Sequence, residues 1–441
     1  MKKILIIGLG KTGISCIKYF ILKKYYIYLI DNNLNYNKNI LKKFLNYNNI
    51  KLYIGFNKIS WILQSKLIIL SPGISLNFVE LDMIKLYNIK IISDIEIFLN
   101  KKKNKKIIAI TGSNGKSTVL NIVYNIIKKS NLNVSIGGNI GIPVLDIINE
   151  ESDIYILELS SFQLEIINNS SFYISIILNI TNNHIDKHIN FENYKLNKLK
   201  IFNNSENCIF NNNDSNTFPK NRNINSKYIT FGSFNSNYSL FYDKNNFYLY
   251  KRNIKFINCN KLKIKSKHFY LNVLASLAIT DLIQNVTSKN QIDIIKNFST
   301  LKHRLETFYF KNIRFINDSK STNSYSTISA INSISKFNYI HLILGGYDKL
   351  NDFTILSNFI KYKNIVLYIY GVDKYKISKY FNNLLCIKNN LKSLIKIIKY
   401  NLYKNDVILF SPSCSSKDQY KSFENRGNKF IKYINEIIIK K

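Results

Sequence analysis

The stretch ITGSNGKST, residues 110–118, carries the residue types of a phosphate-binding loop. Gly112 and Gly115 free the backbone, so that successive N–H groups converge on phosphate oxygens. Lys116 supplies a positive charge for the β- and γ-phosphates, and the Ser117 hydroxyl is a ligand for Mg²⁺. The loop is a shortened form of G-x-x-x-x-G-K-[ST], because isoleucine stands where the first glycine would be. With an apolar strand before it and a periodic helix after it, the loop predicts bound ATP or GTP with magnesium rather than a plain turn.

Polar side chains also end two later apolar runs. IYILELSSFQLE places Glu158 at a strand end, and LNITNNHIDKH places Asn179 and His184 after the next strand. A carboxylate at the carboxyl end of a strand beside a phosphate loop suits a metal or its water, and the alternative is a helix cap. His184 and His188 are four residues apart, which is weak evidence for zinc without a Glu and a third ligand. The sequence favours a magnesium site.

Gly8-Leu9-Gly10-Lys11-Thr12-Gly13 is a G-x-G-x-x-G pattern between a strand and a helix, and Asp31 closes the following strand. Such glycines bring the backbone close to a diphosphate at a helix N-terminus, and the acid binds a ribose hydroxyl. The alternative is a tight turn that needs glycine for geometry alone. The pattern predicts a nucleotide diphosphate but does not specify NAD.

In the last third of the chain, three predicted strands are each followed by hydroxyl-bearing or basic residues. They are INDSKSTNSYST around Asp318, LGGYDKLNDF with Lys349, and FSPSCSSKDQYKSFENRG, whose Ser415 and Ser416 we place at a helix N-terminus. Each is compatible with ordinary capping. Three such ends on one domain favour a small anionic ligand.

Short apolar runs alternate with longer amphipathic ones along the whole chain, which is typical of β-α units. We predict an α/β protein of three domains, because 441 residues exceed one hydrophobic core. Residues 1–94 form a Rossmann-like domain, residues 95–299 a central P-loop ATPase-like domain with a mostly parallel sheet, and residues 300–441 a second Rossmann-like domain.

The formal charge of +36 raises the question of a nucleic-acid partner. Lys, Asn, Ile, Tyr and Phe are over-used together, and all have AT-rich codons, so codon drift explains the charge better than a specific nucleic-acid surface. No apolar run reaches the length of a membrane span, and the five scattered cysteines fit neither a disulfide framework nor a zinc site. We expect a cytoplasmic monomer.

Taken together, the motifs resemble the Mur ligases, which build the peptide of bacterial cell-wall precursors. TGSNGKST, GGNIG, ELSSFQLE, LNITNNHIDKH, HRLE, NDSKSTN and SPSCSSKDQYKSFENRG stand in that family's order along essentially the whole chain. GLGKTG, SPGIS and SFENRG look most like the member that adds D-glutamate to UDP-N-acetylmuramoyl-L-alanine. The resemblance implies an ATP-dependent amide synthesis through an acyl phosphate.

The resemblance also implies roles for individual residues. The catalytic and metal-site positions are Lys116, Ser117, Glu158, His184 and Lys198, of which Lys198 matches a lysine that the family carbamylates. ATP is expected at Gly112, Ser113, Asn114, Gly115, Lys116, Ser117, Thr118, Asn272, Arg304, Asp318 and Lys320. The UDP-linked substrate is expected at Gly10, Lys11, Thr12, Asp31, Gly73, Asn139 and Ser160. D-Glutamate is expected at Thr322, Lys349, Ser416 and Phe423.

The chain departs from the family pattern at three positions: Asn33 stands in place of an arginine, Asn183 in place of an aspartate and Phe269 in place of an asparagine. Four alternatives stay open at this point. They are a sister ligase for another amino acid, a folylpolyglutamate synthetase, a NAD-dependent dehydrogenase judged from the first glycine turn, and a non-catalytic nucleotide-binding remnant.

Overall fold

The computed structural model describes residues 2–32, 43–55, 58–72, 74, 84, 86–139, 141–167, 170–181, 190–233, 235–335, 337–348, 351–361, 363–382 and 384–439. Contacts divide the chain into two compact units. The first comprises Met1–Ile180, Lys187–Asn258 and Leu271–Ile295, and the second comprises Thr181–Asp186, Cys259–Tyr270 and Lys296–Lys441.

The first sheet has five parallel strands in the order β3-β2-β1-β4-β5. Its inner strands are continuous apolar runs such as KILII, the pattern of a parallel sheet with both faces covered. The strands are β1 Lys3–Ile7, β2 Tyr26–Asp31, β3 Ile50–Ile54, β4 Leu67–Leu70 and β5 Lys90–Ile92, and the accompanying helices are Lys11–Leu22, Ile59–Gln64 and Asp94–Lys101.

The second sheet has nine strands in the order β14-β13-β12-β11-β10-β9-β6-β8-β7, and only the β12-β13 and β13-β14 pairs are antiparallel. Its strands are β6 Lys106–Thr111, β7 Val134–Gly138, β8 Ile154–Glu158, β9 Phe172–Ile177, β10 Ser205–Asn211, β11 Lys227–Gly232, β12 Tyr238–Asp243, β13 Asn246–Lys251 and β14 Ile254–Asn258. The helices in this part of the chain are Lys116–Lys129, Ser161–Ile166, Phe191–Leu199, Lys267–Thr280 and Ser288–Asn297. Because β8, β6 and β9 are neighbours and parallel, the segments that leave their carboxyl ends meet at one edge.

The third sheet has six strands in the order β15-β16-β20-β17-β18-β19, with only the β15-β16 pair antiparallel. Successive strand residues face opposite sides, so Leu342 packs in one apolar cluster and Ile343 in another. The strands are β15 Glu306–Phe310, β16 Ile313–Asn317, β17 Ile340–Gly345, β18 Ile365–Tyr370, β19 Leu384–Lys388 and β20 Val407–Phe410. The helices are Ser324–Asn332, Phe353–Ile360, Lys374–Ser378, Leu391–Ile398 and Phe423–Ile434.

Shorter turns complete the secondary structure. Turns of 3₁₀ helix occupy Lys200–Phe202, Ser215–Thr217, Cys259–Lys261 and Lys399–Asn401, and a π-helical turn occupies Asn435–Ile439. Within the described residues, no helix is both long and apolar enough to cross a bilayer. The predicted α/β class is confirmed, while the three domain boundaries stay a prediction.

Candidate active site

The phosphate-binding loop joins β6 to the helix Lys116–Lys129, as the sequence predicts. Gly115 precedes the helix with a φ of 87°, and a Cβ there would lie 2.5 Å from Asn272 Oδ1. Only glycine satisfies both conditions without strain. The same close approach places Asn272, an expected ATP residue, beside the loop.

Lys116 lies within the curve of this loop. Its ammonium donates to the carbonyl oxygens of Gly112 at 2.6 Å and of Ser113 at 3.2 Å. The side chain therefore folds back over its own loop, which keeps the positive charge at the loop, as a phosphate-binding lysine requires.

Glu158 ends β8 and contacts the first turn of the loop's helix. Ser117 Oγ donates to Glu158 Oε2 at 2.7 Å, and the Glu158 side chain is fully buried. The neighbouring strands set this contact, because Ile110 of β6 pairs with Glu158 in the sheet. Asn139 is bound through its backbone N–H to the Glu158 carbonyl at 2.8 Å. The buried Glu158 carboxylate and the Ser117 hydroxyl that faces it are oxygen ligands of the kind that fit Mg²⁺.

Ser160, rather than Glu158, caps the next helix, so the capping alternative for Glu158 is wrong. Ser160 Oγ accepts from the Gln163 backbone N–H at 3.2 Å, and Gln163 Oε1 accepts from the Ser160 backbone N–H at 3.0 Å. This reciprocal pair is a capping box. It fixes the turn that carries Ser160, the expected substrate contact.

Lys198 is buried beside the phosphate loop. Its ammonium lies 3.2 Å from Thr111 Oγ1 and 3.3 Å from the Gly112 carbonyl oxygen. Burial holds the pKa of Lys198 well below its usual range, and the charge of Lys116 lowers it further, while Glu158 acts in the opposite direction. The lowered pKa favours the uncharged amine. Such burial sets Lys198 apart from the chain's many exposed lysines.

Sequence reasoning missed Tyr194, which links Lys198 to the loop. The Tyr194 hydroxyl lies 2.9 Å from Ser113 Oγ, and the Lys198 ammonium sits 4.9 Å from the Tyr194 ring centroid. Residues four apart share a face of the helix Phe191–Leu199. That spacing was the available signal, because it places Tyr194 on the face of Lys198.

Asn179, after β9, closes the other side of the loop. Its side chain accepts from the Asn114 backbone N–H at 2.8 Å and donates to the Asn114 carbonyl at 3.1 Å. The predicted residues His184 and Asn183 lie outside the described residues. Across the described parts of the chain, no cluster of three or more His, Cys, Asp or Glu side chains could hold a metal.

The first glycine turn is built around Asp31. The Leu9 backbone N–H donates to Asp31 Oδ2 at 2.6 Å, so this carboxylate orders the turn. A Cβ on Gly13 would overlap the Gly8 carbonyl oxygen, which explains the last glycine of the pattern. Gly10 precedes the helix Lys11–Leu22, whose first turn presents an exposed Lys11 and a half-buried Thr12. Gly73 lies outside the described residues.

In the second unit, Asp318 follows β16 and is buried. Its Oδ2 accepts from Ser411 Oγ at 2.8 Å, and its Oδ1 accepts from the Leu305 backbone N–H at 3.3 Å. Burial raises the pKa of Asp318 to about 7, against smaller lowering effects of these donors. Arg304 stands between His303 and Leu305, which have φ angles of 61° and 51°. Two such non-glycine residues mark a strained loop that carries Arg304.

The same unit brings Lys320 and Phe423 together, with the ammonium 3.9 Å from the ring centroid. The half-buried Thr322 immediately precedes Asn323, which caps the helix Ser324–Asn332. The prediction that Ser415 and Ser416 begin a helix is wrong. Ser422 caps the helix Phe423–Ile434, because its side chain accepts from the Asn425 backbone N–H, whereas Ser415 pairs with Tyr347 in an isolated bridge. Lys349 lies outside the described residues.

Arg426 is a second residue that sequence reasoning missed. It is fully buried, and its guanidinium donates to Ser319 Oγ at 3.0 Å, to the Ser319 carbonyl at 2.7 Å and to the Cys414 carbonyl at 3.0 Å. It thus ties together the segments that follow β16 and β20. The available signal was the arginine of the SFENRG motif. A buried arginine needs several hydrogen-bond acceptors, so it binds neighbouring segments together.

Fold and site together define a nucleotide-binding α/β protein with a phosphate loop and a buried carboxylate on the neighbouring strand. The family description "Mur ligase MurD-like, N-terminal domain" matches residues 2–93, and "Mur ligase middle domain" matches residues 110–280. The chain is 42% identical over 438 residues to the UDP-N-acetylmuramoylalanine--D-glutamate ligase of Buchnera aphidicola subsp. Acyrthosiphon pisum (strain Tuc7), covering 99% of this chain and 98% of the relative. It is 35% identical to the ligase of the same name from Haemophilus influenzae (strain ATCC 51907 / DSM 11121 / KW20 / Rd), covering 97% of both. The chain belongs to the Mur ligase family.

Solved structures agree with this fold. A MurF ligase from Thermotoga maritima in complex with ADP aligns with a TM-score of 0.64 at 16% identity, covering 99% of this chain and 95% of that one. UDP-N-acetylmuramate-alanine ligase MurC from the same organism aligns with a TM-score of 0.62 at 16% identity, covering 99% and 100%. At these identities the likeness concerns the fold alone.

Proposed function

We propose that this chain is an ATP-dependent ligase that joins D-glutamate to UDP-N-acetylmuramoyl-L-alanine in peptidoglycan precursor synthesis. The observation that carries the proposal is the Ser117–Glu158 contact on a phosphate loop, in a chain similar over nearly its whole length to ligases of that name. We place the activity in the cytoplasm, in a monomer with the three domains set out above.

The first step is transfer of the γ-phosphoryl group of ATP to the L-alanine carboxylate. The carboxylate oxygen forms the new P–O bond, the bond to the β-phosphate oxygen breaks, and ADP leaves. Negative charge gathers at the transferred group, so a cation close to the phosphates lowers the barrier. Lys116 supplies that cation from within the loop. Asn272, Arg304, Asp318 and Lys320 would complete the ATP contacts.

The second step is attack of the D-glutamate amine on the acyl carbon, after which phosphate leaves and the amine loses a proton. We assign Thr322, Lys349, Ser416 and Phe423 to D-glutamate. Asn139 and Ser160 are assigned to the muramoyl part of the other substrate, and Gly10, Lys11, Thr12, Asp31 and Gly73 to its uridine diphosphate.

Ser117, Glu158, His184 and a carbamate on Lys198 would hold Mg²⁺, which when bound neutralises phosphate charge during transfer. The surroundings of Lys198 support the carbamate, because only an uncharged amine adds CO₂ and burial favours that form. Carbon-13 NMR of the protein in labelled bicarbonate tests this: a carbamate signal is expected, and Lys198→Met should remove it.

The proposal is tested by phosphate release with ATP, Mg²⁺ and UDP-N-acetylmuramoyl-L-alanine. D-Glutamate, L-glutamate, L-lysine and meso-diaminopimelate are each added alone, beside a reaction with no amino acid. Release that requires D-glutamate is expected. Release with another amino acid would move the chain to a sister ligase, and ATP binding without release would favour a non-catalytic remnant.

A further inference from the structure

Asp94 occupies a buried junction in the first unit. It begins the helix Asp94–Lys101, which follows the first matched family domain, and its side chain is 2% exposed. Within the described residues, its Oδ1 atom has no hydrogen-bond partner. A buried carboxyl oxygen without a partner is costly and calls for an explanation.

The charge of Asp94 reaches the helix Lys11–Leu22. Apart from burial, the charge of Asp94 is the largest influence that raises the pKa of Cys16 on that helix, followed by the charge of Asp146. Ser15 Oγ on the same helix donates to Asp146 Oδ1 at 2.8 Å. Asp94 therefore lies within electrostatic range of the helix whose first turn we assign to the UDP-linked substrate.

Gln163 is a second residue near Asp94. Its Oε1 atom accepts from both the backbone N–H and the hydroxyl of Ser160, each at 3.0 Å. With the oxygen turned toward Ser160, the amide nitrogen must point away, and Nε2 is buried with no partner among the described residues. Gln163 nevertheless lies close enough to lower the pKa of Asp94, which burial raises to about 7. The backbone N–H groups of Ile95 and Asp94 lower this pKa more than Gln163 does. The unpartnered Nε2 donor thus lies near a carboxyl group whose Oδ1 atom also lacks a partner among the described residues.

We propose that Asp94 is a positioning residue of the UDP-muramoyl substrate site: its carboxyl accepts a hydrogen bond from Gln163 Nε2 and so fixes the amide that holds Ser160. The inference rests on the proposed function, because it takes Ser160 as a substrate contact. The new element is that the affinity for the UDP-linked substrate depends on Asp94, a residue that contacts no substrate atom. Fixing Gln163 also fixes the turn after Glu158.

The first test compares Asp94→Leu, which keeps the size but removes the acceptor, with Asp94→Asn, which keeps an oxygen acceptor. For Asp94→Leu we expect the KM for UDP-N-acetylmuramoyl-L-alanine to rise about 10-fold, while the KM for ATP and for D-glutamate stay within about twofold. Asp94→Asn should remain within about twofold in all three. Glu96→Gln is the matched control, because Glu96 is equally buried on the same helical turn and its Oε2 also has no partner in the described chain.

A second test reverses the hydrogen bond. Gln163→Glu replaces the donor by an oxygen that faces Asp94, so it should raise the same KM. Adding Asp94→Asn supplies a donor from the other side and should restore the KM to within about threefold of wild type, a rescue that a purely structural role would not produce. This pair also decides the matter if Asp94→Leu fails to fold, which thermal melting would reveal.

An unchanged KM in Asp94→Leu, an equal rise for all three substrates, or no rescue in the double variant would overturn the inference. Failure of the proposed function is seen separately, as absence of D-glutamate-dependent phosphate release by the wild type. In that case the Kd for UDP-N-acetylmuramoyl-L-alanine, measured by calorimetry on the same variants, replaces the KM as the readout.

Discussion

Glu158 combines full burial with a 2.7 Å hydrogen bond from Ser117 beside the phosphate loop, and this combination predicts a specific loss of activity. Glu158→Gln keeps an oxygen acceptor for Ser117 but removes the negative charge that a divalent cation needs. We expect kcat to fall at least about 100-fold and the Mg²⁺ concentration for half-maximal activity to rise. Steady-state rates over a magnesium titration measure both.

The control is Glu165→Gln, seven residues further along the chain. Glu165 is half-buried, and the charge of Lys200 opposes the effect of burial on its pKa. This substitution should leave the magnesium titration unchanged. Equal losses in both variants would mean that Glu158 acts through stability rather than at the cation.

Replacing Lys198 by an apolar residue should change stability and activity in opposite directions. The pKa of Lys198 is lower in the folded protein than in the unfolded chain. At pH values between these two pKa values, the unfolded chain therefore binds more protons than the folded protein. The contribution of Lys198 to stability therefore falls as the pH falls through this window. Lys198→Met should abolish activity yet raise the Tm at neutral pH by at least about 2 °C, with a larger gain at pH 6 than at pH 9.

Thermal melting at several pH values measures this difference. Lys195→Met is the control on the same helix, because Lys195 pairs with Glu192 near the surface at 3.4 Å. It should bring no pH-dependent gain. A Tm of Lys198→Met below that of the wild type at every pH would contradict the lowered pKa of the buried Lys198 amine.

Among the secondary-structure elements, three two-residue hairpins share one unusual feature. The turns between β12 and β13, β13 and β14, and β15 and β16 each place a Lys-Asn or Arg-Asn pair at positive φ. The residues are Lys244, Asn245, Arg252, Asn253, Lys311 and Asn312. Such turns favour Asn-Gly, so glycine belongs at the second position of each. Asparagine tolerates that conformation better than most residues, but less well than glycine.

We therefore expect Asn245→Gly, Asn253→Gly and Asn312→Gly each to raise the free energy of unfolding by on the order of 0.5 kcal/mol. The first and third lie on different sheets, so their effects should add. Urea unfolding measures the changes. Asn246→Gly, at the first residue of β13, is the matched control and should lower stability, because glycine loses more backbone entropy than asparagine when it is held in an extended conformation. Destabilisation by all three turn variants would refute the argument.

The sequence predicted those elements whose signal is local. The phosphate loop and its helix were found from the glycine spacing and the apolar periodicity on either side. The strands β15 and β19 were not, because each is a short strand at an edge of the third sheet with no fully buried residue and a weak apolar signal. The role of Asp94 could not be predicted from the sequence, because the residues that it interacts with, Cys16 and Gln163, are distant from it along the chain and belong to two other helices. Lys198 resembled any other lysine until burial distinguished it.

For the molecule as a whole, the net charge of +36 is the dominant physical quantity. Few of the ion pairs seen in the described chain are buried; Lys129–Asp293 and Lys432–Glu436, for example, have both side chains substantially exposed. Exposed ion pairs contribute little to stability, and an excess of charge of one sign destabilises the compact state by self-repulsion. The same positive field attracts ATP and the UDP-linked substrate, both of which are anions. Stability and substrate capture should therefore respond to salt in opposite directions.

Raising KCl from about 20 mM to about 300 mM shortens the Debye length from roughly 20 Å to below 10 Å. We expect the Tm to rise by a few degrees because repulsion is screened, while the KM for ATP increases because attraction is screened as well. Melting curves and initial rates across the same salt series measure the two effects, and potassium acetate in place of chloride separates screening from specific anion binding. A Tm that falls with salt would show that favourable ion pairs outweigh the excess positive charge. A KM for ATP that does not change would show that the phosphate loop alone, and not the electrostatic field of the whole protein, attracts the nucleotide.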